Sequence, residues 1–172
     1  METIAQTDMF GPTIEDAKAR MMLEAQRSQG THCPCCTKFV KVHHRKFNSG
    51  MAVTMIYTYP WFRSHPLEWL QLGRFLIRNF NFWPSDYGKL VWWGMLEKHP
   101  DPPKKSGAKS SGLYRMTSKG FAFTRREILV PSHVHEYKSV VQSFDGDEIN
   151  IRGALGRKFD YGELMQAAGR WS

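Results

Sequence analysis

Apolar positions near the N-terminus recur with the spacing of an α-helix. The run "PTIEDAKARMMLEAQRSQG" predicts a helix because Thr13 can cap its first turn and Gly30 is suited to ending it. Its apolar stripe is thin and consists of Ala17, Met21 or Met22, and Ala25. The helix could pack on the main domain or pair with a second copy, but a stripe of this width is more typical of a surface helix.

The middle of the chain changes periodicity several times. The pattern predicts a helix ending at Pro60, a short strand, two more helices, the second capped by Ser85, and then a hairpin. In order, these elements are expected at 49–62, 68–72, 73–80, 85–96, 96–99 and 113–117, with a closing helix or turn at 117–127. This order of elements is that of a winged helix-turn-helix. Another α+β domain with the same order is the alternative.

A segment without core-forming residues separates the two hairpin strands. The run "EKHPDPPKKSGAKSSG" is rich in Pro, Lys, Gly and Ser, a composition that predicts a flexible loop. The hairpin is therefore expected to carry a long basic tip, which would be the wing.

The C-terminal pattern predicts two strands around a hairpin tip at 144–149, a turn or short helix at 151–155, and a helix capped by Asp160. The predicted fold class is α+β: a winged helix-turn-helix core, an N-terminal CPxC segment and a small β-rich C-terminal module. The predicted parts are a helix at 1–30, a Cys/His segment at 31–47, the winged helix-turn-helix at 48–127, and a β-hairpin and tail at 128–172.

Composition adds a packed core and a basic surface to this picture. Of 172 residues, 41% are hydrophobic and 13% aromatic, which argues against wholesale disorder. Lys and Arg number 24 against 16 acidic residues, which gives a net charge of +8. A basic balance favours a polyanionic partner, with nucleic acid the first choice and an anionic membrane the second.

The pattern predicts neither a membrane span nor export. No apolar run approaches the roughly 18–20 residues that a spanning helix needs, and the first residues lack the basic-then-apolar order of a signal peptide. Three clustered cysteines, an odd number, make a poor disulfide framework. We therefore expect a cytoplasmic protein without a membrane partner.

All three cysteines lie in "THCPCCTKFVKVHHRKFN". Cys33 and Cys36 have the CPxC spacing of a zinc knuckle, in which a tight turn presents two thiolates to one tetrahedral ion. Zinc needs about four ligands, so a second pair must come from elsewhere. His133 and His135 would share one face of a strand, whereas adjacent histidines in the Cys/His segment would not. The candidate zinc site is therefore Cys33, Cys36, His133 and His135.

Other uses of the cysteines remain open. A metal-free turn is the main alternative to zinc, because the chain has no second CxxC pair. If zinc is bound, Cys35 would be a spare or substitute ligand. A thioredoxin-like redox pair needs a helix directly after the motif, but the following residues alternate as a strand does. A cysteine nucleophile is disfavoured because no acid or oxyanion motif accompanies it.

Basic residues cluster on and around the predicted wing. The candidate phosphate contacts are Lys104, Lys105 and Lys109 at its tip, Arg115 and Lys119 on the return strand and turn, and Lys89 on the preceding helix. The alternative is a solvated loop whose lysines serve solubility. The face of the preceding helix offers no Arg, Asn or Gln for base readout. Its Trp92 is instead a candidate contact for a protein partner.

The chain resembles a family of uncharacterised proteins from bacteriophage and prophage genomes. The resemblance covers roughly Cys33 to Met165 and rests on "CPCC", "NSGMA", "SDYGKLVWWGMLE", "GLYRMTSKGFAF", "VPSHVHEY" and "IRGALGRKFDYGELM". It implies a CPxC segment, a winged-helix-like middle and DNA binding, but no catalytic residues; a phage-encoded protein would act in the host cytoplasm. Cys35 and the long Lys-rich wing depart from the family's pattern.

Two functions follow from these observations. The first is a non-catalytic, phage-type DNA-binding protein, a regulator or host-takeover factor, that contacts double-stranded DNA through its basic wing. The second is an inhibitor that binds a host enzyme or defence complex on a winged-helix scaffold. An enzyme is disfavoured because no acidic metal cluster or catalytic motif is visible in the sequence.

Overall fold

The computed structural model describes residues 13–27, 29–100 and 112–170. In these ranges the α-helices are α1 (Ile14–Arg27), α2 (Ser49–Ser64), α3 (Leu72–Phe80), α4 (Ser118–Thr124), α5 (Ile151–Leu155) and α6 (Tyr161–Gly169), with a 3₁₀ helix at Tyr87–Val91. The strands are β1 (Thr31–His32), β2 (Phe39–Val40), β3 (His43–Lys46), β4 (Leu70–Gln71), β5 (Leu96–Lys98), β6 (Leu113–Met116), β7 (Val130–Tyr137) and β8 (Val140–Ile149).

The strands form three small antiparallel sheets, which confirms the predicted α+β class at this level. Strands β1 and β2 make a two-stranded hairpin around the cysteines. Strands β4, β6 and β5 form the middle sheet, with β6 in the centre. Strands β3, β7 and β8 form what we call the histidine sheet, with β7 in the centre.

Helix α2 runs through the centre of the molecule. The side chain of Asn48 accepts a hydrogen bond from the backbone N–H of Met51 and caps its first turn. The predicted end at Pro60 is wrong, because the helix continues to Ser64 with Pro60 buried inside it. Burial of Phe62 two residues later offsets the loss of one helical hydrogen bond at the proline.

One hydrophobic core joins the middle of the chain to its C-terminal part. The rings of Phe47 and Trp93 meet edge to face with centroids 5.1 Å apart, and Phe123 lies 5.1 Å from Phe47 on another side. The indole N–H of Trp93 donates to the carbonyl of Pro131 at 2.8 Å. The same core includes buried residues of α5 and α6, so the C-terminal tail docks on the main body.

The expected α-helix at 85–96 is wrong in type and extent. The chain forms a 3₁₀ helix that begins after Asp86, not Ser85, and no side-chain hydrogen bond caps it. Gly94, with φ of +70°, ends the following turn directly before the middle sheet. Two glycines and several aromatic or β-branched residues give this segment low helix propensity.

The C-terminal hairpin turns at a different place from the one predicted. The turn lies at Lys138 and Ser139, both with positive φ, and the residues expected at the tip belong to β8. The carboxylate of Glu136 accepts the backbone N–H of Ser139 at 2.8 Å and helps to hold the turn. The tail helices agree with the prediction, and Asp160 caps α6 through the N–H of Glu163.

Helix α1 and the cysteine hairpin form a smaller core beside the histidine sheet. Ala25, Val40 and Val42 are buried there, and Cys33 and Tyr137 pack against them. In the ranges described above, no helix has the length and apolarity needed to cross a bilayer.

Candidate functional site

Three histidines and one aspartate converge on one face of the histidine sheet. Strand pairing places His44 of β3 opposite His135 of β7, and His133 of β7 opposite Asp145 of β8. Side chains at paired positions point to the same face, and positions two apart on one strand also share that face. We call His44, His133, His135 and Asp145 the histidine cluster.

The carboxylate of Asp145 holds two of these imidazoles. One oxygen, Oδ1, lies 2.9 Å from His44 Nε2, and the other, Oδ2, lies 3.1 Å from His135 Nε2. The side chains of His44 and Asp145 are about half exposed, while that of His135 is 12% exposed. The cluster is therefore open to solvent on one side and supported from the sheet on the other.

The imidazole rings stack on one another. The ring of His44 lies parallel to those of His133 and His135, with centroids 4.5 Å apart in both pairs. One nitrogen each of His44 and His133 and one oxygen of Asp145 lie within 4.8 Å of one another. In the described part of the chain, these three residues form the one group of this kind.

The electrostatic surroundings favour the unprotonated forms of His133 and Asp145. Burial, together with the charge of His44, lowers the pKa of His133 below its ordinary value. Partial burial acts to raise the pKa of Asp145, but hydrogen bonds from His44 and His135 outweigh it and lower that pKa. A neutral imidazole beside a carboxylate is suited to accepting protons or coordinating a cation.

The position of His133 depends on a glycine. Nδ1 of His133 lies 2.9 Å from Ser132 Oγ, so this nitrogen is engaged and Nε2 is left for other partners. Gly146 has φ of +78°, and a Cβ there would lie 2.4 Å from Ser132 Oγ and 2.6 Å from His133 Nδ1. Only glycine fits both the backbone conformation and the space.

The structure does not bring the four predicted zinc ligands together. His133 and His135 share a face, as expected, but Cys33 packs against α1 and Tyr137 in the smaller core. Within the described ranges, neither Cys33 nor Cys36 joins a metal-compatible group of three. Backbone hydrogen bonds from Cys36 and Cys35 nevertheless lower the pKa of the Cys33 thiol, as expected for a knuckle-like turn.

The predicted basic contacts differ in their surroundings. Lys89 pairs with Asp86 at 2.5 Å, and Arg115 pairs with Glu97 and stacks over the ring of Trp69. Lys119 is exposed at the start of α4. Lys104, Lys105 and Lys109 lie outside the described residues.

The candidate partner contact Trp92 is less exposed than the sequence predicted. Its ring is partly buried and packs against the main core. Trp83, in the segment between α3 and the 3₁₀ helix, is 73% exposed instead. Adjacent aromatic residues cannot be told apart by hydrophobicity, because a 3₁₀ turn changes which one faces inward.

Sequence reasoning missed His44 and Asp145 as partners of His133 and His135. The sequence contained part of the information needed, since an alternating strand puts His43 and His44 on opposite faces, so only one of them can join a given cluster. What was missing was the register that sets β3 beside β7 and β8. Comparisons of the chain with protein-family models, with curated proteins and with solved structures found no match.

Proposed function

We propose that this chain is a non-catalytic DNA-binding protein whose residues 48–127 form a winged helix-turn-helix. The observation that carries the proposal is the order of the middle sheet, β4-β6-β5, in which β4 lies between α2 and α3 along the chain and β5 and β6 follow the 3₁₀ helix. In a winged helix, the strand between the first two helices pairs with the far strand of the hairpin, as β4 pairs with β6 here.

The charge around this hairpin supports a contact with phosphates. The segment between β5 and β6 contains Lys104, Lys105 and Lys109, and exposed Lys119 follows β6 directly. A wing that leaves and re-enters an ordered sheet can place such residues along a duplex backbone. A phage origin and a role as regulator or host-takeover factor remain part of this proposal.

The short 3₁₀ helix argues for binding with little sequence preference. Lys89 is its basic residue, and the neighbouring Asp86 already neutralises it. A five-residue 3₁₀ helix presents few side chains to a major groove, compared with a recognition helix of several turns. Backbone contacts of this type give affinity that falls steeply with salt.

Duplex binding measured against salt tests the proposal. We expect binding at low salt, and replacing Lys104, Lys105 and Lys109 with Gln should lower the slope of log affinity against log salt by about 3. The matched control removes three exposed lysines elsewhere, Lys18, Lys38 and Lys158. An equal change of slope in both variants would show that the effect comes from net charge alone and not from the wing. Absence of binding at low salt would refute the proposal.

An inhibitor that binds a host protein is the second candidate. It is favoured by the exposed ring of Trp83 and by the pairing of Arg115 with Glu97, which removes a phosphate contact from the middle sheet. A protein partner that co-purifies with the chain and is lost on Trp83→Ala, together with no duplex binding, would select this function.

A further inference from the structure

The histidine cluster has the donors and the spacing of a metal site. We infer that His44, His133 and Asp145 bind a divalent transition-metal ion such as zinc, with His135 as a positioning residue. Each of the three ligands comes from a different strand of the histidine sheet. This inference is independent of the proposed DNA-binding function, because it uses another sheet and other residues.

The distances agree with small adjustments on binding. In a tetrahedral zinc site with bonds of about 2.0–2.1 Å, ligand atoms lie about 3.3 Å apart. His44 Nε2 and Asp145 Oδ1 are 2.9 Å apart, so an ion could replace the hydrogen bond that now joins them. One nitrogen of each of the two imidazoles and one oxygen of Asp145 already lie within 4.8 Å of one another, and rotation of the exposed side chains of His44 and Asp145 can bring the ligand atoms closer.

The surrounding contacts orient the ligands as in known metal centres. A histidine ligand commonly donates from its other ring nitrogen to a nearby oxygen, which fixes the ring and its tautomer. His133 has this arrangement, with Nδ1 on Ser132 Oγ and Nε2 left for the ion. His135 orients the carboxylate of Asp145 in a similar way, because its Nε2–H donates to Oδ2 and leaves Oδ1 for the ion.

The donor set selects the class of metal. Two imidazole nitrogens and one carboxylate oxygen suit zinc and its neighbours, whereas magnesium and calcium prefer shells made of oxygen alone. Three protein ligands leave one tetrahedral position for water, in keeping with the half-exposed side chains of His44 and Asp145.

Cobalt is the probe, because its visible absorption reports both binding and donor type. The full chain, stripped of metal with a chelator, is titrated with Co²⁺, and Zn²⁺ is then added as the competitor. We expect a visible band without the near-ultraviolet sulfur-to-cobalt band of a thiolate site, and loss of the visible band on adding zinc. Mg²⁺ should displace nothing.

Variants assign the ligands. Asp145→Asn or His44→Ala should abolish cobalt binding, and His135→Ala should weaken it about 10- to 100-fold, since it removes an outer contact rather than a ligand. The matched control is His43→Ala, which removes an imidazole at the neighbouring position on the opposite face of β3. This control and the Cys33→Ser/Cys36→Ser double variant should bind like the wild type.

A second measurement on the wild type does not depend on whether the variants fold. In ¹⁵N spectra of the histidine rings, zinc should shift the signals of His44 and His133 and leave those of His43 and His32 unchanged. No cobalt binding to the wild type would overturn the inference. So would binding that carries a thiolate band and is lost in the cysteine double variant but kept in His44→Ala.

Discussion

The two three-stranded sheets of this molecule treat their polar side chains in opposite ways. In the middle sheet, charges are paired locally: Glu97 faces Arg115 across one ladder, and the guanidinium rests on Trp69. In the histidine sheet, three imidazoles gather around the single carboxylate of Asp145. The first arrangement is complete as it stands, while the second has nitrogen lone pairs left for a further partner.

Both sheets nevertheless rest on one core, in which Leu96 of the middle sheet lies together with Val134 of the histidine sheet. Trp93 belongs to this core and contacts the histidine sheet directly. Its ring contacts Phe47, which follows β3, and its N–H reaches the backbone of β7. Trp93→Ala should therefore cost about 3–5 kcal/mol of unfolding free energy and weaken both sheets together. Urea unfolding followed by near-ultraviolet circular dichroism measures this.

The control for that change is Trp83→Ala, because Trp83 is 73% exposed. It should alter the unfolding free energy by no more than about 0.5 kcal/mol. Two separate transitions in Trp93→Ala, with one sheet keeping wild-type stability, would show that the sheets do not share a core.

Two glycines, Gly146 within the histidine sheet and Gly94 just before the middle sheet, allow the cost of backbone strain to be separated from the cost of crowding. Gly146 and Gly94 both have positive φ, but a Cβ at Gly146 would strike Ser132 and His133, while one at Gly94 meets nothing nearer than Lys119 Cδ at 3.8 Å. Gly94→Ala should cost about 1–2 kcal/mol from the left-handed backbone alone. Gly146→Ala should cost about 1–3 kcal/mol more, from crowding.

Thermal and urea unfolding of the two variants give the comparison. Gly146→Ala should also shift the ring signals of His133 in ¹⁵N spectra, since its contact with Ser132 is displaced. Equal losses of unfolding free energy for the two substitutions, with unchanged His133 signals, would show that β8 relaxes around the added methyl group and that crowding contributes nothing.

The smallest effect is expected for the charge pair of the middle sheet. Arg115 and Glu97 are about a third and under half exposed, so solvent screens their attraction. A double-mutant cycle with Arg115→Ala and Glu97→Ala should give a coupling of about 0–1 kcal/mol that declines with added salt. A salt-independent coupling well above this range would contradict the description of a locally satisfied, solvent-screened pair.

Local signals predicted most elements of the chain, whereas long-range pairing decided the candidate site. The hairpin β5–β6 was predicted because a long run without core-forming residues separates its two strands, and the Asp160 cap because cap residues act over a few positions. The tip of the C-terminal hairpin was misplaced because Asp145–Gly146 reads like a turn, yet Gly146 lies within β8. Lys138 and Ser139 form the turn despite being poor left-handed formers.

The site itself could not be derived from spacing. His133 and His135 were correctly placed on one face because alternation along a strand is a local rule. Their partners were assigned to the cysteine turn, since no local rule says which distant strand lies beside β7. The register that brings His44 and Asp145 there reflects burial of the opposite face, where Val134 and Phe47 enter the core.

The pairing of β3 with β7 also sets an order of events during synthesis. His44 and Asp145 are 101 positions apart, and everything between them leaves the ribosome before the sheet can close. Until then β3 is an edge without a ladder partner, and the entropy cost of joining the ends grows with the length of loose chain. The intervening residues pack into the main core in the folded protein, and their docking before β7 arrives would shorten that loose chain and lower the entropy cost of closing the histidine sheet.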